Sequence, residues 1–420
     1  MSNTKFVLDR KNLNKVDEYG ESVRQSNIMS RLQGAHSVGE GILGFLNPRN
    51  KARLRESSVV LHDEIMEHDR GSKDIVIRGS LRDWRAAVPN ARYANISGRK
   101  DITDDDFQYL EGLEYLNMSS CEQLTDAAFA HLAGIHTLDM SFCDQETITD
   151  AAFAHLRGIH TLIMDGCNQA TITDAAFAHL AGIHTLDIEG CMQWAITDAA
   201  FVHLRGIHTL NMRYCNQRTI TDNAFVNLRG IHTLNMSLCT QITDAAFVNL
   251  RGINTLTMSH CSQNRITDAA FIHLRGIHSL NIRGCKQLMI TDAAFVNLRG
   301  IHTLDMKSCN QPTITGSSLD MLGNNLEVLD ILRCNPSTIN YANEFFGVSP
   351  GNTIVTKHPV VGDNIDVSNS NSNTSNLERR RENGNSDERF AARLAGIARP
   401  RGGYRRTRRK QRKSRRNKTR

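Results

Sequence analysis

Ten cysteines recur along this chain at near-constant intervals. They stand at Cys121, Cys143, Cys167, Cys191, Cys215, Cys239, Cys261, Cys285, Cys309 and Cys334, in steps of 22, 24, 24, 24, 24, 22, 24, 24 and 25 residues. A disulfide framework belongs to short secreted chains with clustered cysteines. Here every cysteine marks one copy of a repeat. One copy reads Ile172-Thr-Asp-Ala-Ala-Phe177-Ala-His-Leu180-Ala-Gly182-Ile183-His-Thr-Leu186-Asp-Ile188-Glu-Gly-Cys191, and near-copies run from about residue 99 to 334.

Within a copy the apolar positions Phe177, Leu180, Ile183, Leu186, Ile188 and Cys191 step by three, three, three, two and three, so a helical spacing gives way to a strand spacing. One helix and one short strand per copy are expected, with Thr173 or Asp174 as helix N-cap and Gly182 as the stop. Arg157, Arg205, Arg229, Arg251, Arg275 and Arg299 are expected in the last helical turn, where the dipole favours a cation. A single copy buries too little to fold, whereas stacked copies share a continuous core. An aromatic content of 6% is thin for two separate globular cores and agrees with a repetitive architecture. The fold class expected is α/β: a solenoid, or horseshoe, with parallel strands inside and helices outside, a small helical N-terminal module and a disordered basic C-terminal tail. Its divisions are 1–30 flexible, 31–70 a helical module, 71–98 an N-terminal cap with Ile75-Val76-Ile77 as one strand, 99–346 about ten repeats plus a C-terminal cap, and 347–420 the tail, basic at 399–420.

A period in the low twenties is that of leucine-rich repeats. The motif Leu-x-Met-x-x-Cys at Leu116–Cys121, Leu138–Cys143 and Leu304–Cys309, followed by Ile-Thr-Asp, resembles the cysteine-containing class of that family. The resemblance implies a link to substrate receptors of cullin-type ubiquitin ligases. The near-identity of the copies and the basic tail are also similar to repeat proteins of giant DNA viruses of amoebae. Residues Ile42-Leu43-Gly44-Phe45-Leu46-Asn47-Pro48 and the following Ala52-Arg53-Leu54-Arg55 resemble the F-box. That resemblance implies that Ile42, Leu43, Phe45, Leu46 and Pro48 contact the ligase adaptor. It departs from the family in lacking a Leu-Pro opening and a tryptophan near Leu61, and a helical cap of the solenoid stays open as the other reading.

Because the framework hardly changes, the variable positions carry the information. The residue between the two strand apolars is mostly short and polar, and the two residues before each cysteine vary most. Acidic residues come early, Asp165 and Glu189; basic ones come late, Arg213, Arg283 and Lys307. With Phe142, Trp194, Tyr214 and His260 they form the expected partner-binding concave face, since aromatic and arginine side chains dominate interface energetics; drift of exposed positions that nothing constrains stays open as the other reading.

Catalysis, cofactor and metal are not expected. Gly39-Glu40-Gly41-Ile42-Leu43-Gly44 matches a dinucleotide fingerprint in letters, yet Pro48 follows where a long helix is required. Repeat histidines such as His136, His160 and His184 point the same way in every copy, whereas a tetrahedral site needs convergent ligands. They read as structural, and stacked copies would repel one another on protonation. The formal charge of +6 hides a division: residues 401–420 carry twelve Lys/Arg and no acid, so the rest of the chain sums to −6. In that tail Arg405, Arg406, Arg408, Arg409, Lys410, Arg412, Lys413, Arg415 and Arg416 suit a polyanion, with nucleic acid or an import receptor as partner. No secretory signal or membrane span is expected. The expected location is intracellular, in cytoplasm or nucleus, and the likeness to giant-virus repeat proteins implies a host cell or a virion. The expected function is protein recognition by the concave face, as substrate receptor of a cullin-type ligase. The rival is a structural scaffold fixed to nucleic acid by its tail.

Overall fold

The computed structural model describes residues 71–261, 265–346 and 354–356, all within the unit Met1–His358. Twelve strands form one sheet in chain order. They are β1 (Tyr93–Asn95), β2 (Tyr115–Asn117), β3 (Thr137–Asp139), β4 (Thr161–Ile163), β5 (Thr185–Asp187), β6 (Thr209–Asn211), β7 (Thr233–Asn235), β8 (Thr255–Thr257), β9 (Ser279–Asn281), β10 (Thr303–Asp305), β11 (Val328–Asp330) and β12 (Ile354–Thr356). From β1 to β11 every pairing is parallel and in register, so Leu162 stacks between Leu138 and Leu186. The solenoid expected from the repeat is therefore the fold, with one strand per copy.

Most strands end where a short polar last residue turns the chain; β4, which ends in Ile163, and β8, which ends in Thr257, have the same length without it. The Asp187 carboxylate accepts the Glu189 amide (2.9 Å), and Asn117, Asn211, Asn281 and Asp330 do the same two residues on. The short polar residues of the strand face thus have a structural duty, which accounts for their uniformity.

The helical part departs from expectation. Instead of one helix, a copy has a single α turn, Asp174–Phe177, running into a 3₁₀ turn, Ala178–Leu180; elsewhere, as at Asp222–Leu228, the segment is 3₁₀ throughout. The cause lies in the spacing: Phe177, Leu180 and Ile183 fall three apart, the period of a 3₁₀ turn rather than the 3.6 of an α-helix. Thr173 is the N-cap, its hydroxyl accepting the Ala175 amide. Asp174 has another task. Its carboxylate takes both the amide and the hydroxyl of Thr197 in the next copy, each at 2.7 Å. The arginines also do something other than cap: Arg205 and Arg229 lie just past the helical turn and donate Nε to Asn227 (3.0 Å) and Asn249 (2.9 Å) of the following copy.

Phe177, Leu180, Ile183, Leu186, Ile188 and Cys191 are all buried, and their equivalents form one core from end to end. At the N-terminal end the helix Leu81–Ala87, capped by Ser80, is fastened by Arg85, which donates to the carbonyls of Tyr109, Ala91 and Glu111. Ile75–Ile77 do not form a strand; Ile77 bonds to Asn95 in passing. At the other end the helix Pro336–Phe346 covers Gly316, where a Cβ would press on Thr338 and Tyr341. Strand β12 then pairs antiparallel with β11. The sheet therefore runs on into the stretch expected as tail, through three residues, Ile-Val-Thr, of β-branched type.

All ten cysteines are free and buried. Each thiol donates to a carbonyl of the preceding copy, as Cys191 does to Met164 and Cys215 to Ile188, both at 3.1 Å. Burial pushes the thiols up, to about 11 at Cys121 and about 12 at Cys143, Cys261 and Cys334, so they stay protonated donors. Native protein is expected to leave all ten thiols unreactive toward an aromatic disulfide reagent and to release all ten in denaturant. Cys191→Val, which removes the thiol bond to Met164 and leaves that carbonyl with the Cys167 amide alone, is expected to lower stability by about 0.5–1.5 kcal/mol in chemical denaturation.

Candidate functional site

Past each strand the chain makes the same turn, and two consecutive residues of that turn carry most of the variation. The first of them is Asp165, Glu189, Arg213, Arg283 or Lys307 in the respective copies. The structure joins three of the expected anchors into one unit. Arg213 Nη1 meets Glu189 Oε1 at 2.8 Å, with side chains only 19% and 9% exposed. Asn211 Nδ2 bridges Glu189 and Asp187, each at 3.0 Å, and the Arg213 guanidinium lies 4.5 Å over the Tyr214 ring. The acid-to-base transition read from sequence is thus a desolvated ion pair between adjacent copies. Further along, Arg283 is exposed and Lys307 half-buried, and both flank Asp305. Burial pushes the Asp305 carboxyl above its usual range, aided by Asp330 and opposed by the bond from the Lys307 amide and the charges of Arg283 and Lys307. Asp165 is half-buried. Trp194, 69% exposed, is a correction: it lies on the turn toward the next helical segment, off the strand row, because it belongs with Ala195 to a two-residue insert after the cysteine that the 22-residue copies lack.

The second variable residue sits in the left-handed backbone region in every copy. Gly166, Gly190 and Gly284 hold φ of 67–68° there, and the same place takes Phe142 (58°), Tyr214 (63°), Leu238 (62°), His260 (56°), Arg333 (61°) and the small Ser120 (59°) and Ser308 (62°). A non-glycine residue in that region carries a backbone penalty, largest for bulky side chains. Two of these side chains use a glycine in the next copy. A Cβ on Gly166 would come within 2.7 Å of the Phe142 ring, and one on Gly284 would collide with the His260 ring. A glycine one copy after a ring, as Gly166 after Phe142 and Gly284 after His260, is the sequence signal for this geometry; variability alone, which singled these residues out, does not reveal it.

The histidines preceding the strands stack. His136, His160, His184, His208 and His232 form a column with centroids 4.4–4.5 Å apart and planes 13–14° from parallel. Each bonds through Nδ1 to the following threonine, as His184 does to Thr185 at 3.1 Å. Asn254 takes the next place, and the column resumes with His278 and His302. Glu114, paired with Arg92, precedes it and Glu327 follows it. Desolvation, then the neighbouring imidazoles, holds His160 and His208 below the usual histidine value. A lowered folded-state pKa means that the native state resists protonation. The associated stability is complete above the unfolded value near ~6.5 and is lost as pH falls through the lowered one. The melting temperature is accordingly expected to fall between pH 7.5 and 5. His160→Asn with His208→Asn, which copies the asparagine naturally present at Asn254, is expected to flatten that slope.

Among the described residues no three His, Cys, Asp or Glu side chains gather as a metal would require, and no helix is long and apolar enough to cross a membrane. The adaptor-contact residues Ile42, Leu43, Phe45, Leu46 and Pro48, the glycine motif at 39–44, and the tail cations from Arg405 to Arg416 lie outside the described residues.

The BspA type leucine rich repeat region matches this chain in six copies, over residues 94–207 and 194–319, more than half of its length. No curated protein sequence matches it. Among solved structures it is similar to TLR13 in a complex with ssRNA13, at 19% identity and TM-score 0.49, over 59% of this chain and 36% of that one. A Toll–Spatzle complex from Drosophila gives 13% identity and TM-score 0.43 over 60% and 41%, and an internalin (inlF) from Listeria monocytogenes 20% and 0.45 over 62% and 71%. The chain thus spans roughly two fifths of the length of the first two.

Proposed function

From its membership of the BspA-type leucine-rich-repeat family, to which the chain belongs, we propose that it recognises a protein partner along the strand face and the turns that border it. The fold is one typical of protein–protein recognition. The observation that supports this use is the set of bulky residues at left-handed positions. Phe142, Tyr214, Leu238 and His260 occupy a place where five sibling copies use glycine or serine, at a backbone cost of about 1–2 kcal/mol each. A side chain kept against its own backbone preference is accounted for by what it touches. Phe142, Tyr214 and His260 are the anchors in this reading. Asp165 on one side, and Arg283 and Lys307 on the other, fix the orientation of a partner whose charges run opposite, while Arg213 and Glu189 stay committed to each other.

Leu238→Gly is expected to leave the melting temperature unchanged or higher, worth up to about 1 kcal/mol. Phe142→Gly combined with Tyr214→Gly and His260→Gly should abolish capture of the partner identified by crosslinking while the chain stays folded. Undiminished capture would show that these residues are not anchors.

The finer part of the reading, attachment to a cullin-type ligase, rests on the sequence of residues 31–70. Full-length protein is expected to bind the ligase adaptor and to lose it on Leu43→Asp with Phe45→Asp. Absence of adaptor binding would favour the scaffold reading, whose support is the twelve cations of residues 401–420.

A further inference from the structure

The copies are near-identical, so a change that starts at one copy and persists marks a place. The residue after the buried phenylalanine is Ala130, Ala154 and Ala178 in the early copies, then Val202, Val226, Val248, Ile272 and Val296 in five successive ones. All five stand on the helical turns, away from the strands, and are 45–48% exposed. A row of large exposed aliphatic side chains is what interaction sites show, whereas scattered single ones mean nothing.

A second column changes with it. Three residues on, the early copies have Ala133, Arg157 and Ala181, and the later five have arginine without exception, from Arg205 to Arg299. Four of those five arginines are anchored through Nε: to Asn227, Asn249, His273 and Asn297 of the following copies, at 2.9–3.3 Å. The anchoring leaves Nη1 of each, and Nη2 of all but Arg275, which gives it to Asn297 as well, for outside acceptors and lowers the entropy lost in using them. Among the described residues none of the five is ion-paired, and the nearby aspartates that open each helical turn are spent on threonines.

We infer that this face, from Val202 to Arg299, is a second docking surface, separate from the strand row, for an amphipathic helix with an apolar stripe and an acidic flank. Charge complementarity selects the acid. Spacing selects the helix: repeats follow one another at the strand separation of about 4.8 Å or more, close to the ~5.4 Å pitch of a helix. A helix laid along the row places one apolar residue per turn against each aliphatic and one carboxylate per turn against each arginine. Short valine side chains suit knobs between such residues better than insertion about 5–10 Å into a lipid interface.

The native thiols are buried, so a dye attached through Ala269→Cys, on the same exposed face one turn before Ile272, reports this surface apart from the cationic tail. The probe is a synthetic helix of about 20 residues with a leucine stripe flanked by glutamates, set against its lysine counterpart. Full-length protein is expected to give a saturable dye response to the glutamate peptide. Lysine in the peptide, Val226→Asn with Val248→Asn, or Arg229→Ala with Arg251→Ala should each weaken it about tenfold or more, with circular dichroism unchanged. No response to the glutamate peptide, or an equal response in both double variants, would overturn the inference. So would a response to phosphatidylserine–phosphatidylcholine vesicles that Val226→Asn removes, since it would assign the face to lipid.

Discussion

The Asp174 carboxylate closes on the amide and hydroxyl of Thr197, and this clasp occurs nine times, from Asp104 with Thr125 to Asp292 with Thr315. The cysteine thiols repeat the arrangement within the core, each donating to a carbonyl of the copy before it. In both cases the polar group of one copy is satisfied only by its neighbour. An isolated copy would carry unpaired groups as well as exposed apolar ones, and leaving such groups buried and unpaired costs more than the bonds gain. That constraint holds the copies in register, and register is what lines up every column described above.

Strict register also makes a departure from the repeat visible as chemistry. Where the pattern allows glycine and has Phe142 or His260, the large ring lies over the glycine of the next copy, so the two changes belong together. Where Glu189 meets Arg213, two charges of opposite sign become one partly buried pair, a costly arrangement unless fully bonded, and Asn211 and Tyr214 complete it. The variable positions are not an even scatter of exposed residues. They form units that cross copy boundaries, while the framework between them stays constant.

Much of the fold could be read from the chain itself. The cysteine interval and the apolar steps determine a solenoid with a strand in each copy, since no other arrangement buries the same six positions in every copy. The tightness of the helical turn was also present, in apolar steps of three that fit a 3₁₀ turn. Two further features follow from the sequence once the register is known: the stacked histidines, and the aliphatic and arginine columns on the helical side.

Tertiary structure decided the rest. Asp174 as a tether rather than a cap, Arg205 as a donor to Asn227, and Arg213 as the partner of Glu189 all involve residues 22 to 24 positions apart. Which of several polar groups in the neighbouring copy each one meets depends on the stagger between copies, and a single copy does not encode that stagger. The placement of Trp194 off the strand row has the same origin, because only the path of the chain after Cys191 fixes where the insert projects. Sequence by itself determined the repeat, the core and the columns, because apolar periodicity is local. The pairing within and between those columns was decided by packing, since hydrogen bonds and ion pairs require partners that only the stacked copies bring within reach.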